Sequence, residues 1–237
     1  MKSNFIQNIL PTRLFNGAVN FVLPETCLVC GAVINSPARF ICPECRKQLL
    51  PFNGQHPWRE NETSAGTIDN SLSLYEFAEG TAIQTLLHAL KYTKFKSIGR
   101  MFGEEIGCKI SAGEVKYDFA VPVPLHRAKE RERTYNQSDF ICKGISESLG
   151  AKNLPRCLKR TRFTETQTQL HKSERLKNVH GAFELNPKFK ELIAGRNIIV
   201  ADDVITTGST ILECARVLKQ NGCGKVLVAS IAYATLD

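Results

Sequence analysis

From residue 71 onward the apolar positions of this chain keep two rhythms in turn. SLSLYEFAE, from Ser71, alternates with period two, as a strand does. TAIQTLLHALKYTKF places Ile83, Leu86, Leu87 and Leu90 at the spacing of one helix face, and SIGRMFGEEIGCKI predicts another helix. YDFAVPVPL is an apolar strand that stops at prolines. NQSDFICKGISESLG opens on a capping residue, carries Ile141, Ile145 and Leu149, and closes on Gly150. LPRCLKRTRF is a candidate strand, and GRNIIVADD is an apolar run ending in two carboxylates. TTGSTILECARVLKQNG predicts a helix stopped by Gly222, and KVLVASIAYA a last buried strand. Strands alternating with helices predict an α/β fold: a mainly parallel sheet covered on both faces, with ligands beyond the carboxyl ends of its strands.

The chain before residue 71 follows neither rhythm. FIQNILPTRLFNGAVNFVLP suits a short amphipathic helix, because Asn, Gln, Pro and Arg interrupt the apolar core that a signal peptide needs. CLVCGAVINSPARFICPEC contains Cys27-x2-Cys30 and Cys42-x2-Cys45, two tight turns that each bring a pair of thiolates to one side. Two such turns close a tetrahedral Zn²⁺ shell, and four cysteine ligands leave no open position, so the metal expected here is structural. Gly31 suits the first turn. Residues 53–70 are polar, aperiodic and read as a linker, with His56 solvated in it. The expected organisation is a helix and zinc module over 1–52, a linker over 53–70 and an α/β domain over 71–237.

Composition narrows the class. The 237 residues are 43% apolar and 23% charged, the balance of a soluble globular protein rather than a collagen-like, disordered or disulfide-stapled one. No run reaches the ~18–20 apolar residues of a membrane span. A cytoplasmic, reducing location follows, in which nine cysteines are metal ligands or packing groups; Cys108, Cys142, Cys157, Cys214 and Cys223 lack ligand spacing and read as core. The net charge of +8 is concentrated: residues 121–180 hold 13 basic and 6 acidic side chains, whereas residues 181–237 hold 6 of each. Anionic partners are implied, and both phosphorylated small molecules and nucleic acid qualify.

The chemistry is densest in IIVADDVITTGST. An apolar strand carries Asp202 and Asp203 to the sheet edge, and Thr206, Thr207, Gly208, Ser209 and Thr210 turn into a helix. Unpaired N–H groups and hydroxyls at a helix start suit a phosphate, and the carboxylates can accept from vicinal hydroxyls. The layout therefore calls for a sugar bearing both hydroxyls and a phosphate. Neither a Walker A loop nor a dinucleotide Gly-x-Gly-x-x-Gly turn is present.

This segment resembles the phosphoribosyl-diphosphate (PRPP) motif of type I phosphoribosyltransferases. With FVLPETCLVCG, LLHALKY, VPVPLHRAKERERTYNQ and RTRFTETQTQLHKSERLKNVHGAF, the chain resembles the ComF/GntX family, phosphoribosyltransferase-like proteins associated with DNA uptake and natural transformation. The resemblance spans about residues 20–235. It implies a type I phosphoribosyltransferase-like sheet with a small N-terminal zinc module. It also implies Mg²⁺-PRPP at Asp202 and Asp203 with the 5′-phosphate on residues 206–210, Arg127 of VPVPLHR facing pyrophosphate, and a closing loop over 161–180 that holds Gln167, Arg175 and Asn178. Lys129, Arg131 and Arg133 either line that site or form a solvated basic face; Tyr135 packs or stacks a base. His126 adjoins the pyrophosphate loop, and His88 is expected at a helix–sheet interface. The family usually has Gly where this chain has Thr134. The implied function is PRPP binding in DNA uptake, with single-stranded DNA and the uptake machinery as partners. The alternative is an active transferase of nucleobase salvage that releases pyrophosphate, and the resemblance fits a chain that turns over and one that only binds.

Overall fold

The computed structural model describes residues 26–34, 40–56, 58, 66–93, 95–162 and 179–234. The chain divides into two compact units, Met1–Gln48 and Leu49–Asp237. The helix expected over residues 5–24 lies outside the described residues.

In the smaller unit an antiparallel bridge joins Thr26 to Val33 around the first cysteine turn. Cys27 N donates to Ala32 O at 2.8 Å and Gly31 N to Cys27 O at 2.9 Å, with Gly31 at φ +73°. That left-handed conformation is why glycine follows the second cysteine. A single helical turn, α1 (Pro43–Arg46), starts at Cys42 and carries Cys45.

The larger unit supplies β1 (Asn70–Glu76), α2 (Ala82–Tyr92), α3 (Lys96–Ser111), β2 (Phe119–Pro122), α4 (Arg127–Arg133), α5 (Gln137–Leu149), β3 (Lys152–Asn153), β4 (Leu158–Arg160), β5 (Phe183–Leu185), α6 (Lys190–Ile193), β6 (Ile198–Ile205), α7 (Ser209–Gln220) and β7 (Val226–Tyr233). Five strands form one sheet in the order β1-β7-β6-β2-β3, parallel at every pairing. This is the helix-flanked parallel sheet that the alternating pattern predicts. β7 is buried along its whole length, which explains its unbroken apolar run. β4 and β5 make a separate antiparallel pair, so the candidate strand in LPRCLKRTRF exists but leaves the main sheet.

On one face, Ile211, Cys214, Ala215 and Leu218 of α7 pack on Val121, Ile198, Val200, Val226 and Val228. α3 and α5 pack together through glycines. A methyl added at Gly103 would meet the Ile141 carbonyl, and one at Gly144 the Arg100 carbonyl. The helices therefore approach closely enough to bury Phe102, Ile106, Ile141 and Ile145 completely.

Three local expectations fail. His56 is 4% exposed rather than solvated, because residues 49–56 run beside β1, with Phe52 N donating to Leu74 O at 3.0 Å. His88 is exposed and lies against Tyr92 rather than at a helix–sheet interface. Cys108 is exposed, although Cys142, Cys157 and Cys214 are core as expected and Cys223 is half-buried. Position 108 lies on the outer face of α3, whose apolar stripe runs through Ile98, Phe102, Ile106 and Ile110.

Candidate functional site

β2 and β6 are neighbours, yet their chains leave in opposite directions across the sheet, β2 toward β3 and β6 toward β7. Right-handed crossovers then send the following helices to opposite faces and open a crevice beyond the two carboxyl ends. The loops after β2 (residues 123–126) and after β6 (residues 206–208) border that crevice.

β6 continues through both aspartates to Ile205, so the acidic pair lies within the strand and not after it. Consecutive strand positions face different surroundings, and the two carboxylates part company. Asp202 is half-buried; its Oδ1 accepts from Ser138 Oγ at 3.0 Å and from Asp203 N–H at 2.9 Å. Burial and the neighbouring Asp203 push its carboxyl far above the usual carboxylate range, outweighing the two hydrogen bonds and Lys91. Asp203 is buried, accepts from Val204 N–H at 2.7 Å, and pairs with Lys91 Nζ of α2 at 3.2 Å.

The loop follows. Gly208 stands at φ +77° and accepts the first helical bond of α7, from Leu212 N–H at 2.9 Å. Thr207 and Ser209 hydroxyls lie 2.9 Å apart, and Ser209 N–H reaches Thr207 Oγ1 at 3.4 Å. A small cavity of about 60 Å³ is lined by Asp202 and by every residue from Val204 to Ile211. One carboxylate, several hydroxyls and a helix start thus share one cavity.

The loop after β2 is held from both sides. Val123 N–H donates to Ala201 O at 2.9 Å, and Val123 O accepts from Asn136 Nδ2 at 3.0 Å. Asn136 Oδ1 also caps α5 by accepting from Ser138 N–H at 3.2 Å, so the start of α5 ties this loop to Asp202. Asn136 and Ser138 are candidate site residues that sequence reasoning missed; Asn136 was read only as a helix cap and as part of VPVPLHRAKERERTYNQ, and Ser138 had no signal of its own. Lys91 was missed too: it stands within LLHALKY, but nothing near it in the chain shows that it meets Asp203.

Arg127 is the first residue of α4, where His126 Nδ1 caps the helix by accepting from Ala128 N–H at 3.2 Å. Beyond it a cleft of about 730 Å³ is lined by His126, Glu130, Asp139, Arg156 and Arg160 among others. Burial, then the Glu130 charge, raise the Asp139 carboxyl to about 6 against the pull of Arg156. Burial pushes the Lys129 ammonium down, with Arg133 and Arg160 adding to it. Tyr135 is buried and donates to Leu90 O, so it packs rather than stacks a base. Arg175, Gln167 and Asn178 lie outside the described residues.

In the smaller unit the four cysteine sulfurs all lie within 4.8 Å of one another, with Cys30 and Cys42 at 3.8 Å. A Zn–S distance of about 2.3 Å in a tetrahedron separates sulfurs by about 3.8 Å, so the donor set fits. Cys42 N–H and Cys45 N–H donate to Cys27 and Cys42 sulfurs, each at 3.4 Å. Burial raises the Cys27 thiol, but the amides of Cys42, Cys30 and Val29 outweigh it and bring it to about 6. Burial and the neighbouring thiols push Cys45 the other way. Four thiolates at this range need a cation among them, and a structural Zn²⁺ supplies it.

Comparison with known proteins fits both parts. Residues 18–57 match the family model described as a double zinc ribbon domain. Competence protein F of Haemophilus influenzae is 36% identical over 223 residues, 88% of this chain and 96% of that one. The chain belongs to the ComF/YhgH competence-protein family. The DNA utilization protein YhgH of Salmonella typhimurium is 32% identical, over 85% of this chain and 87% of its own. Glutamine PRPP amidotransferase from B. subtilis is similar at 16% identity and a TM-score of 0.40, over 60% of this chain; the chain spans 30% of that enzyme. Among the described residues of this ComF-family protein, no helix is long and apolar enough to cross a membrane. Thr134, where the resemblance leads one to expect glycine, adopts φ +66° at the end of α4. The turn keeps the backbone that glycine takes without strain, and a β-branched residue bears the cost.

Proposed function

We propose that this chain binds PRPP, or another ribose 5-phosphate ligand, beyond the carboxyl ends of β2 and β6, and that it handles single-stranded DNA during uptake. The observation that carries the first part is the shared cavity of Asp202 and the Thr206–Thr210 loop. Asp202 accepts from ribose hydroxyls, while the first N–H groups of α7 and the loop hydroxyls take the 5′-phosphate. Arg127 and Arg175 offer cations to the pyrophosphate, and positioning with charge stabilisation carries any reaction, so no catalytic triad is needed. The raised Asp202 carboxyl in the loop cavity also suits Mg²⁺, with Asp202 as the residue that would hold it while Asp203 stays paired with Lys91. When bound, the ion supplies charge neutralisation for the diphosphate.

The DNA part rests on family membership and on the basic window of residues 121–180. Tyr92, 53% exposed, adds an aromatic surface with the Arg133 guanidinium 5.2 Å above its ring. A second reading, turnover in nucleobase salvage, is favoured by the 730 Å³ cleft beside the β2 loop, which has room for an acceptor base.

Calorimetry of Mg²⁺-PRPP against wild type and Asp202→Ala tests the pocket, and no binding by wild type sinks it. Single-stranded DNA affinity against salt tests the DNA reading, because phosphate contacts require a steep decline. A flat response removes it. Pyrophosphate release from Mg²⁺-PRPP with added nucleobases decides between binding and turnover.

A further inference from the structure

The segment beside β1 ends in Trp58, the single tryptophan of the chain and 4% exposed. Its surroundings are fixed by a run of hydrogen bonds whose direction can be read from one end. Ser230 Oγ donates to Ala232 O at 2.9 Å, so its oxygen accepts the Ser73 hydroxyl at 2.7 Å. Ser73 Oγ then accepts Nε2–H of His56 at 2.9 Å, and Nδ1 shares a hydrogen bond with the Ser71 hydroxyl at 2.9 Å. His56 is thereby held in one orientation by a hydroxyl at each ring nitrogen. The indole stacks on this imidazole, with centroids 4.6 Å apart at 24°, and Tyr233 meets it edge-on at 6.3 Å.

The free edge of the indole stands over the phosphate loop. A Cβ at Gly208 would lie 2.5 Å from Trp58 Cζ3 and 2.7 Å from Cε3. Gly208 is thus required both for its left-handed φ and for the approach of the ring. The indole N–H finds no acceptor among the described residues. An unpaired buried donor is unfavourable, so this position uses the ring and not the hydrogen bond.

We propose that Trp58 is a positioning residue for the phosphate loop. Seated on His56 and flanked by Tyr233, its ring edge holds Gly208 in the turn that aims the first amides of α7 outward. The inference rests on reading residues 206–210 as a phosphate loop, and the test separates the two claims.

Hydrogen exchange of the 204–212 amides is measured in the full chain without ligand. Trp58→Ala is expected to speed exchange about tenfold, while Trp58→Phe, which restores an aromatic edge, stays near wild type. Trp58→Leu, which keeps the core filled without that edge, serves as the folded control and is expected to behave like Trp58→Ala. Unchanged exchange in the Leu variant overturns the inference without reference to any ligand. Ribose 5-phosphate is then titrated by calorimetry and by tryptophan emission. Wild-type emission is expected to shift on binding, and affinity to fall about tenfold in Trp58→Leu and recover in Trp58→Phe. Equal affinity in wild type and Trp58→Leu overturns the positioning role while the phosphate loop stands. A wild type that binds neither ribose 5-phosphate nor Mg²⁺-PRPP overturns the phosphate reading and the positioning role with it.

Discussion

The four cysteines and the two aspartates are both clusters of like acids, and they solve their repulsion differently. The cysteine sulfurs all lie within 4.8 Å of one another with backbone amides on two of them, an arrangement complete only with a cation among them. The aspartates turn to separate partners instead. Asp203 already has a cation in Lys91, whereas among the described residues Asp202 meets a hydroxyl and an amide and has a raised carboxyl. One cluster is built round a metal as a unit. The other is divided into a carboxylate paired with a lysine and a carboxylate that lines the loop cavity, where the proposed function places the ribose.

Four experiments break or sharpen that contrast. The largest effect is expected at the cysteines. Cys45→Ala should take zinc from one ion per chain to none and unfold the smaller unit, since structural zinc contributes on the order of 10 kcal/mol. Metal analysis with hydrogen exchange reads both, and a variant that keeps its zinc refutes the four-ligand site. At the aspartates the two substitutions should separate. Asp202→Ala is expected to weaken Mg²⁺-PRPP binding about 100-fold with little change in denaturation midpoint. Asp203→Ala, which leaves Lys91 without its partner, is expected to cost about 1–2 kcal/mol in urea melts. Equal losses in both properties from both variants would erase the division of labour.

Asp139 offers a third acid for comparison, with no ion pair among the described residues. Its folded pKa, about 6, is raised above the ordinary 3.8, so the ionised form is the disfavoured one. The stability that this one group contributes is then full below about pH 4 and is lost as pH rises through the folded value. Asp139→Asn should be about 2 kcal/mol more stable than wild type at pH 8 and equal to it at pH 4. Identical pH profiles for the two proteins would falsify that assignment. The smallest effect is expected at Thr134→Gly. Relief of the left-handed strain outweighs the extra freedom of the unfolded chain, and the melting temperature should rise by the equivalent of about 0.5 kcal/mol.

Local signals located most of the elements. Period two found β1, helical spacing found α2, and Asn136 with Gly150 bounded α5 to within a residue. α4 escaped because RAKERER has no apolar face to give a period. β3 and β5 escaped because two or three residues are too short for one. The metal site was legible for a local reason: each Cys-x2-Cys turn preorganises its own two ligands. The loop after β6 was legible because strand, carboxylates, Gly208 and helix follow one another in the chain.

What sequence alone determined, then, were features whose parts are close together in it: the four-cysteine site, the alternating strands and helices, and the loop after β6. The tertiary structure alone decided which partner each carboxylate meets, because Lys91, Ser138 and Asp202 come from three different elements. It alone turned His56 from a loop residue into a buried one and brought Trp58 onto Gly208, 150 positions away in the chain. Contacts between distant positions leave no period and no spacing to read, since only folding sets which side chains face each other.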